Sequence, residues 1–447
     1  MTVGASLAAL GSLLLLALAS STTLVSAAAP STVYYQVNPI ARLALATPRA
    51  TAGGFPTPSE CVAAVGLACY GPQDFRTGYN VPSTATGAGQ TIVIVDAYGS
   101  PTIRADLAIY DQEFGLPTAN LNIYYPEGQP TYNPLQHHQE TSWAEETSLD
   151  VEQSHGLAPL ATIDLVVAPN NTGNALNNAE AFAVDNHLGN VMSMSFGAPE
   201  ALFHGNNNQL MQANAIYQQA ANQGMSVFAS SGDSGATEGT GVSTALFPAS
   251  DPLVTSVGGT NLFLTDSGTY QSETTWNDSI STDCPFGCAY GPFGATGGAP
   301  SVLFSTPTYQ SGDGSGFGTR TTSDVSFNAS VYTATMIYLG FLGAGNDGFY
   351  FFGGTSEGSP SWAAITAMAD QAAGHGLGQL NPTLYAISSH PATYAADFHN
   401  IYGPGQNNAF PSGVGNYPAT EPGYNLPTGL GSPDVAHLIT SLVGAHI

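Results

Sequence analysis

The 447-residue chain contains no lysine and only five arginines (Arg42, Arg49, Arg76, Arg104, Arg320), against 31 acidic residues. So few cations exclude a nucleic-acid-binding surface, which needs clustered Lys and Arg to neutralise phosphates. At pH 7 the formal charge of -26 repels itself. In strong acid the carboxylates lose their charge, and the arginines and histidines leave about +15 at most. The balance reads as that of a protein built to work at low pH.

Long apolar runs are equally scarce. Leu7 to Ala28 is the exception, ending in the small residues Val25-Ser26-Ala27-Ala28. It lacks a positive leading segment, yet reads as a secretory signal peptide over 1–28, with a membrane anchor as the alternative. No later segment is apolar enough to span a bilayer. The rest is expected to be a secreted, extracellular monomer in an acidic setting, with no stable membrane insertion. Only four cysteines are present, in two local pairs. Cys61 with Cys69 and Cys284 with Cys288 suit two short-loop disulfides better than zinc, which needs closer repeated spacing or nearby histidines. Sequons at Asn170, Asn277 and Asn328 fit an extracellular surface. Residues 29–69 read as a short pro-region or linker, and 70–447 as one catalytic domain.

What is abundant is alternation. Thr91–Ala97, Ala161–Ala168, Asn190–Ser195 and Met225–Ser230 read as buried strands. Helical spacing covers Pro101–Phe114, Ser142–His155, Ala179–His187, Gln209–Gln223 and Asp434–Val443. The succession predicts an α/β fold with a mostly parallel, doubly wound sheet flanked by helices, carrying its site at the carboxyl ends of strands.

Gly353-Gly354-Thr355-Ser356-Glu357-Gly358-Ser359-Pro360 offers a serine just ahead of a small-residue helix expected over Ser359–Ala373. A helix start supplies unpaired N–H groups for an oxyanion. The order Asp96, His155, Ser356 would make a subtilisin-type triad, although His155 falls at a helix end. Glu146 and Asp150 are the alternative activators. Four residues apart, they share a helix face, and two such carboxyls share a proton. A carboxylate base works in acid, where histidine stays protonated. Glu145 and Glu152 nearby leave open a plain solvated acidic face. Asp233, in Ser231-Gly232-Asp233-Ser234-Gly235 after the strand Met225–Ser230, can donate to an oxyanion if protonated. Gly-Asp-Ser-Gly also occurs in chymotrypsin-like enzymes, but those are all-β.

With these motifs in order, joined by Asp74-Phe75-Arg76-Thr77-Gly78-Tyr79-Asn80, His155-Gly156-Leu157-Ala158-Pro159 and Thr428-Gly429-Leu430-Gly431-Ser432-Pro433, the chain resembles the sedolisin family of serine-carboxyl peptidases. The resemblance implies a subtilisin-like fold and hydrolysis of polypeptides in acid, by an endopeptidase or a tripeptidyl-peptidase. It implies Ser356 as nucleophile, Glu146 as general base and then acid, Asp150 as its partner, and Asp233 as oxyanion donor. Some relatives extend the relay to an acid at the position of Asp96 with a tryptophan, where this chain has Phe196. A large prodomain is usual, so inhibition here is expected to be local, supplied by another chain or imposed by pH. The family's calcium site maps to Asn400 with Ile401, and to Glu421, Gly423 and Asn425. Both aspartates have become asparagine, so no cofactor is expected to be required, although an amide oxygen can still ligate calcium. Glu357 replaces a small residue, either favouring the helix dipole or shaping the leaving-group side. A retired, non-catalytic protease fold is the remaining alternative.

Overall fold

The computed structural model describes residues 55–137, 139–203, 208–279, 293–312, 316–343, 345–410 and 415–445. The expected signal peptide, most of the expected linker and the Cys284–Cys288 pair lie outside them.

The main sheet is built from β1 (Thr91–Ala97), β2 (Asn120–Tyr124), β3 (Thr162–Ala168), β4 (Val191–Met194), β5 (Ser226–Ser230), β6 (Thr255–Leu264), β7 (Tyr270–Thr275) and β8 (Val325–Asn328). Their spatial order is β7-β6-β5-β4-β1-β3-β2, with β8 also paired to β6. The β6–β7 pair is antiparallel and the others are parallel. β1 reads TIVIVDA without polar alternation because both of its faces are covered. Val93 and Val95 enter one buried cluster with Met192 and Val166, whereas Ile92 and Ile94 enter the other with Ile163 and Leu165.

Helices α1 (Ile103–Phe114), α2 (Glu140–Leu157), α3 (Gly173–Asp185), α4 (Asn208–Asn222), α5 (Thr355–Ala373) and α6 (Val435–Ala445) complete the predicted succession. α3 and α4 cover one face of the sheet; α2 and α5 lie together on the other. α5 starts at Thr355, four residues earlier than its sequence suggests, so Ser356 sits inside the first turn. Pro360 misleads the sequence reading because proline usually opens a helix. Here it lies within one and cannot donate to the Ser356 carbonyl four residues back.

The acidic face of α2 is not solvated. A hairpin of β9 (Thr333–Leu339) and β10 (Gly348–Phe352) covers it, packing Ile337, Leu339, Tyr350 and Phe352 around Leu149. Glu152 is buried there and accepts the Tyr338 N–H at 2.8 Å. Gln153 donates to Ser361 Oγ at 3.1 Å and accepts from Thr335 Oγ1 at 3.0 Å. Ahead of the sheet, the Cys61–Cys69 disulfide forms, and Ala68–Tyr70 pairs in parallel with β9. Residues 55–69 thus fold onto the domain. The sequons at Asn277 and Asn328 are corrected: both side chains are buried and hydrogen-bonded, leaving no space for a glycan.

Many carboxyls are buried without a cation. Burial pushes Glu180 up to about 8, Asp370 to about 7 and Asp278 to about 6. Each folded group keeps its proton above the pH at which the unfolded chain releases it. The folded state therefore binds more protons between about pH 4 and pH 8, and stability falls as pH rises through that window. A thermal-melt series from pH 3 to 8 should show the highest Tm at its acidic end. A Tm that rises steadily toward pH 8 would contradict this account.

Candidate active site

β1 places Asp96 on the same face as Ile92 and Ile94, toward α2 and α5. Ser195 follows β4 and Asp233 follows β5, so strand ends deliver all three to one edge of the sheet. α2 brings Glu146 and Asp150, one turn apart, against the first turn of α5 with Ser356. The structure thus gathers Asp96, Glu146, Asp150, Asp233 and Ser356. The cleft at Ser356 and Asp233 is also lined by Ser195, Phe196, Glu238 and Thr355.

Glu146 is fully buried, and burial holds its carboxyl well above the usual range, helped by the negative charges of Asp96 and Asp233. The Ser356 hydroxyl faces it and pulls the other way. This contact is looser than a full hydrogen bond, as catalytic contacts often are before substrate arrives. Asp150 is raised well above its usual range by burial, then by Asp96 and Glu146. Its Oδ1 accepts from Ser195 Oγ at 2.8 Å. Burial pushes Asp96 up to about 7, against the Thr147 hydroxyl beside it. Three carboxyls this close titrate as a unit and retain protons between them. Ser195 Oγ also lies 3.2 Å from the Ser356 carbonyl that Pro360 leaves unbonded, so one hydroxyl spans Asp150 and the backbone of Ser356.

Across the cleft, burial pushes Asp233 up to about 7. Its Oδ1 accepts the Thr355 N–H at 2.7 Å and the Thr355 hydroxyl at 2.8 Å. Gly354 has φ 116°, and a Cβ there would come within 2.7 Å of Asp233 Oδ2. Glycine is therefore required twice, for the left-handed turn and for that approach. As the second residue of α5, Ser356 carries an N–H that no helical carbonyl takes. Glu238 lies beneath the loop, accepting the Ser234 N–H at 3.3 Å.

Two of the alternatives are excluded. His155 cannot serve Ser356: nine residues beyond Glu146 on the same helix, it lies about 13 Å further along. Its Nε2 is instead 2.9 Å from Asp111 and 3.1 Å from the Pro117 carbonyl. Glu357 does not shape the leaving-group side: it is buried against Asn328, whose amide reaches its carboxyl at 3.1 and 3.3 Å. Sequence reasoning missed Ser195, Thr355 and Glu238. Position alone hinted at Thr355, beside the nucleophile.

The residues mapped to the calcium site do not fit a cation cage. The Asn400 amide donates to the Gly423 carbonyl at 2.9 Å, and its oxygen accepts the Gly423 N–H at 2.8 Å. The Asn425 amide donates to the Ile401 carbonyl at 3.1 Å, and its oxygen accepts from Thr428 N and Oγ1 at 3.0 and 2.9 Å. The carbonyls a cation would need already hold amide protons, and neither asparagine supplies charge.

Comparison with known proteins agrees with this architecture. Kumamolisin of Bacillus sp. (strain MN-32) is 32% identical over 420 residues, covering 91% of this chain and 69% of that protein. Sedolisin of Pseudomonas sp. (strain 101) is 32% identical over 387 residues, covering 83% of this chain and 60% of that protein. The solved structure of Pseudomonas sedolisin, a serine-carboxyl proteinase complexed with two molecules of pseudo-iodotyrostatin, superposes with a TM-score of 0.72 at 29% identity. It covers 84% of this chain and 98% of that one. No family model matches. The fold is the subtilisin-like α/β fold, with Ser356 at a helix start. The chain belongs to the sedolisin family of serine peptidases.

His155→Ala removes the buried partner of Asp111 but nothing that touches Ser356. Its Tm should fall, while kcat/KM of the folded variant stays within about threefold of wild type. A collapse of kcat in folded protein would restore histidine to the mechanism.

Proposed function

We propose that the chain is a secreted peptidase that cleaves polypeptides in acid through Ser356, Glu146 and Asp150, with Asp233 as oxyanion donor. The observation that carries this reading is the facing of Ser356 and Glu146 inside a cluster of carboxyls, with no histidine among the described residues lining the cleft. Once that cluster has lost one proton, Glu146 takes the Ser356 hydroxyl proton as Oγ attacks the scissile carbonyl. The Ser356 N–H and the protonated Asp233 hold the oxyanion. Glu146 then passes the proton to the departing amine, leaving an acyl-enzyme. Water completes hydrolysis by the same steps, giving a free acid and regenerating Ser356. Asp150 orients Glu146 and shares its charge, and Asp96 extends the sharing. The alkaline limit comes where Asp233 ionises, because a carboxylate there repels the oxyanion. The Leu7–Ala28 stretch supports export, and the lysine-free composition supports an acidic setting.

The test is peptide hydrolysis from pH 2 to 7 by wild type, Ser356→Ala and Glu146→Gln. Both variants should lose activity, Glu146→Gln by about 10²–10⁴-fold. Wild-type rates from Glu146→Gln would refute the assignment.

The amide network of Asn400 and Asn425 supports a second part of the reading, that this chain needs no calcium. Metal-stripped protein should melt at the same temperature with and without millimolar calcium at its working pH. A Tm raised by calcium, as expected when a ligand binds only the folded state, would show the network to be a metal site after all.

A further inference from the structure

The hydrogen bonds at Asp233 run in one direction. The Gly232 N–H donates to Thr355 Oγ1 at 3.1 Å. A backbone N–H cannot reverse, so the threonine hydroxyl accepts there, and in this buried position Asp233 Oδ1, 2.8 Å away, is the acceptor shown for its own proton among the described residues. The Thr355 N–H, also irreversible, donates to the same oxygen at 2.7 Å. Both lone pairs of Oδ1 are thereby taken. A proton on Oδ1 would either displace the Thr355 N–H or turn the Thr355 hydroxyl around, leaving the threonine proton without the acceptor it has here. Oδ2 is the oxygen over Gly354, beside the start of α5 where Ser356 sits.

We propose that Thr355 is a positioning residue of the reaction, which directs the Asp233 carboxyl proton onto Oδ2, the oxygen that faces the developing oxyanion. This rests on the assignment of Asp233 as oxyanion donor made above. The same bonds tune the group. Both donors stabilise the ionised carboxyl and so hold Asp233 lower than burial alone would. The titratable groups facing it are Glu146 from α2 and Glu238 from its own loop. Thr355 thus aims the proton while making it easier to lose.

Thr355→Val keeps the branched shape and removes the hydroxyl; Thr355→Ser keeps the hydroxyl. The experiment measures pH profiles of kcat and KM on one fluorogenic polypeptide for wild type, both variants, Asp233→Asn, and Asp233→Asn with Thr355→Val. Near-UV circular dichroism checks each fold. Thr355→Val should lose about tenfold or more in kcat with KM unchanged, because a transition-state donor is misaimed. Its alkaline limb should move up by about one pH unit, because a stabiliser of the carboxylate is gone. Thr355→Ser should keep both wild-type values. An amide at position 233 does not titrate, so in the Asp233→Asn background the valine should shift no limb. A Thr355→Val profile that drops without shifting, or a Thr355→Ser variant as impaired as the valine, would overturn the proposal and leave Asp233 as donor. A wild-type alkaline limb in Asp233→Asn would instead remove Asp233 from that role, and the proposal with it.

Discussion

The burial of uncompensated carboxyls is the constraint on which the rest of this molecule depends. Transferring a carboxylate out of water without a partner is prohibitive, so the group keeps its proton instead. With no lysine and five arginines, the chain has few cations to place inside; among the described residues Arg320 is buried with Asp324, and His155 meets Asp111. Elsewhere carboxyls meet hydroxyls, amides, backbone N–H groups or one another. The same physics that makes Glu180 and Asp370 structural makes Glu146, Asp150 and Asp233 capable of chemistry. Two helices laid side by side on one sheet face turn this shared property into a site.

The backbone contributes as much as the side chains. Gly354 permits a left-handed turn that no Cβ could follow beside Asp233. That turn starts α5 early enough to put Ser356 in its first turn. Pro360 then releases the Ser356 carbonyl, which Ser195 approaches while bonded to Asp150. Ser356, Asp150 and Asp233 are thus tied through the strand ends and one helix start. Movement of either would be felt by all three.

Much of the fold was legible before any coordinates. β1 was read with its observed bounds because an uninterrupted apolar run means a strand covered on both faces. α1 ended where expected, at Gly115, whose φ of 65° closes the helix. The bounds expected for α2 fall within two residues of those observed, but the sequence leaves open whether its acidic face is solvated. That alternative stays open because nothing local announces that a hairpin nearly two hundred residues later will pack against the helix. The start of α5 was misplaced for a local reason, since proline marks a helix opening far more often than an interior.

The sequence by itself determined the chemistry available: a serine after Gly-Gly-Thr, a carboxyl pair at helical spacing, and an acid after a strand. These are local patterns, set by backbone geometry and side-chain type within a few residues. Tertiary structure alone decided which groups meet. It turned His155 toward Asp111 and away from Ser356, buried Glu357 and two sequons, and let asparagine amides cap the carbonyls a cation would have used. It also gave Thr355 its grip on Asp233, across more than a hundred residues. Such choices depend on packing between distant segments and on which polar groups burial deprives of water, and no local pattern encodes either.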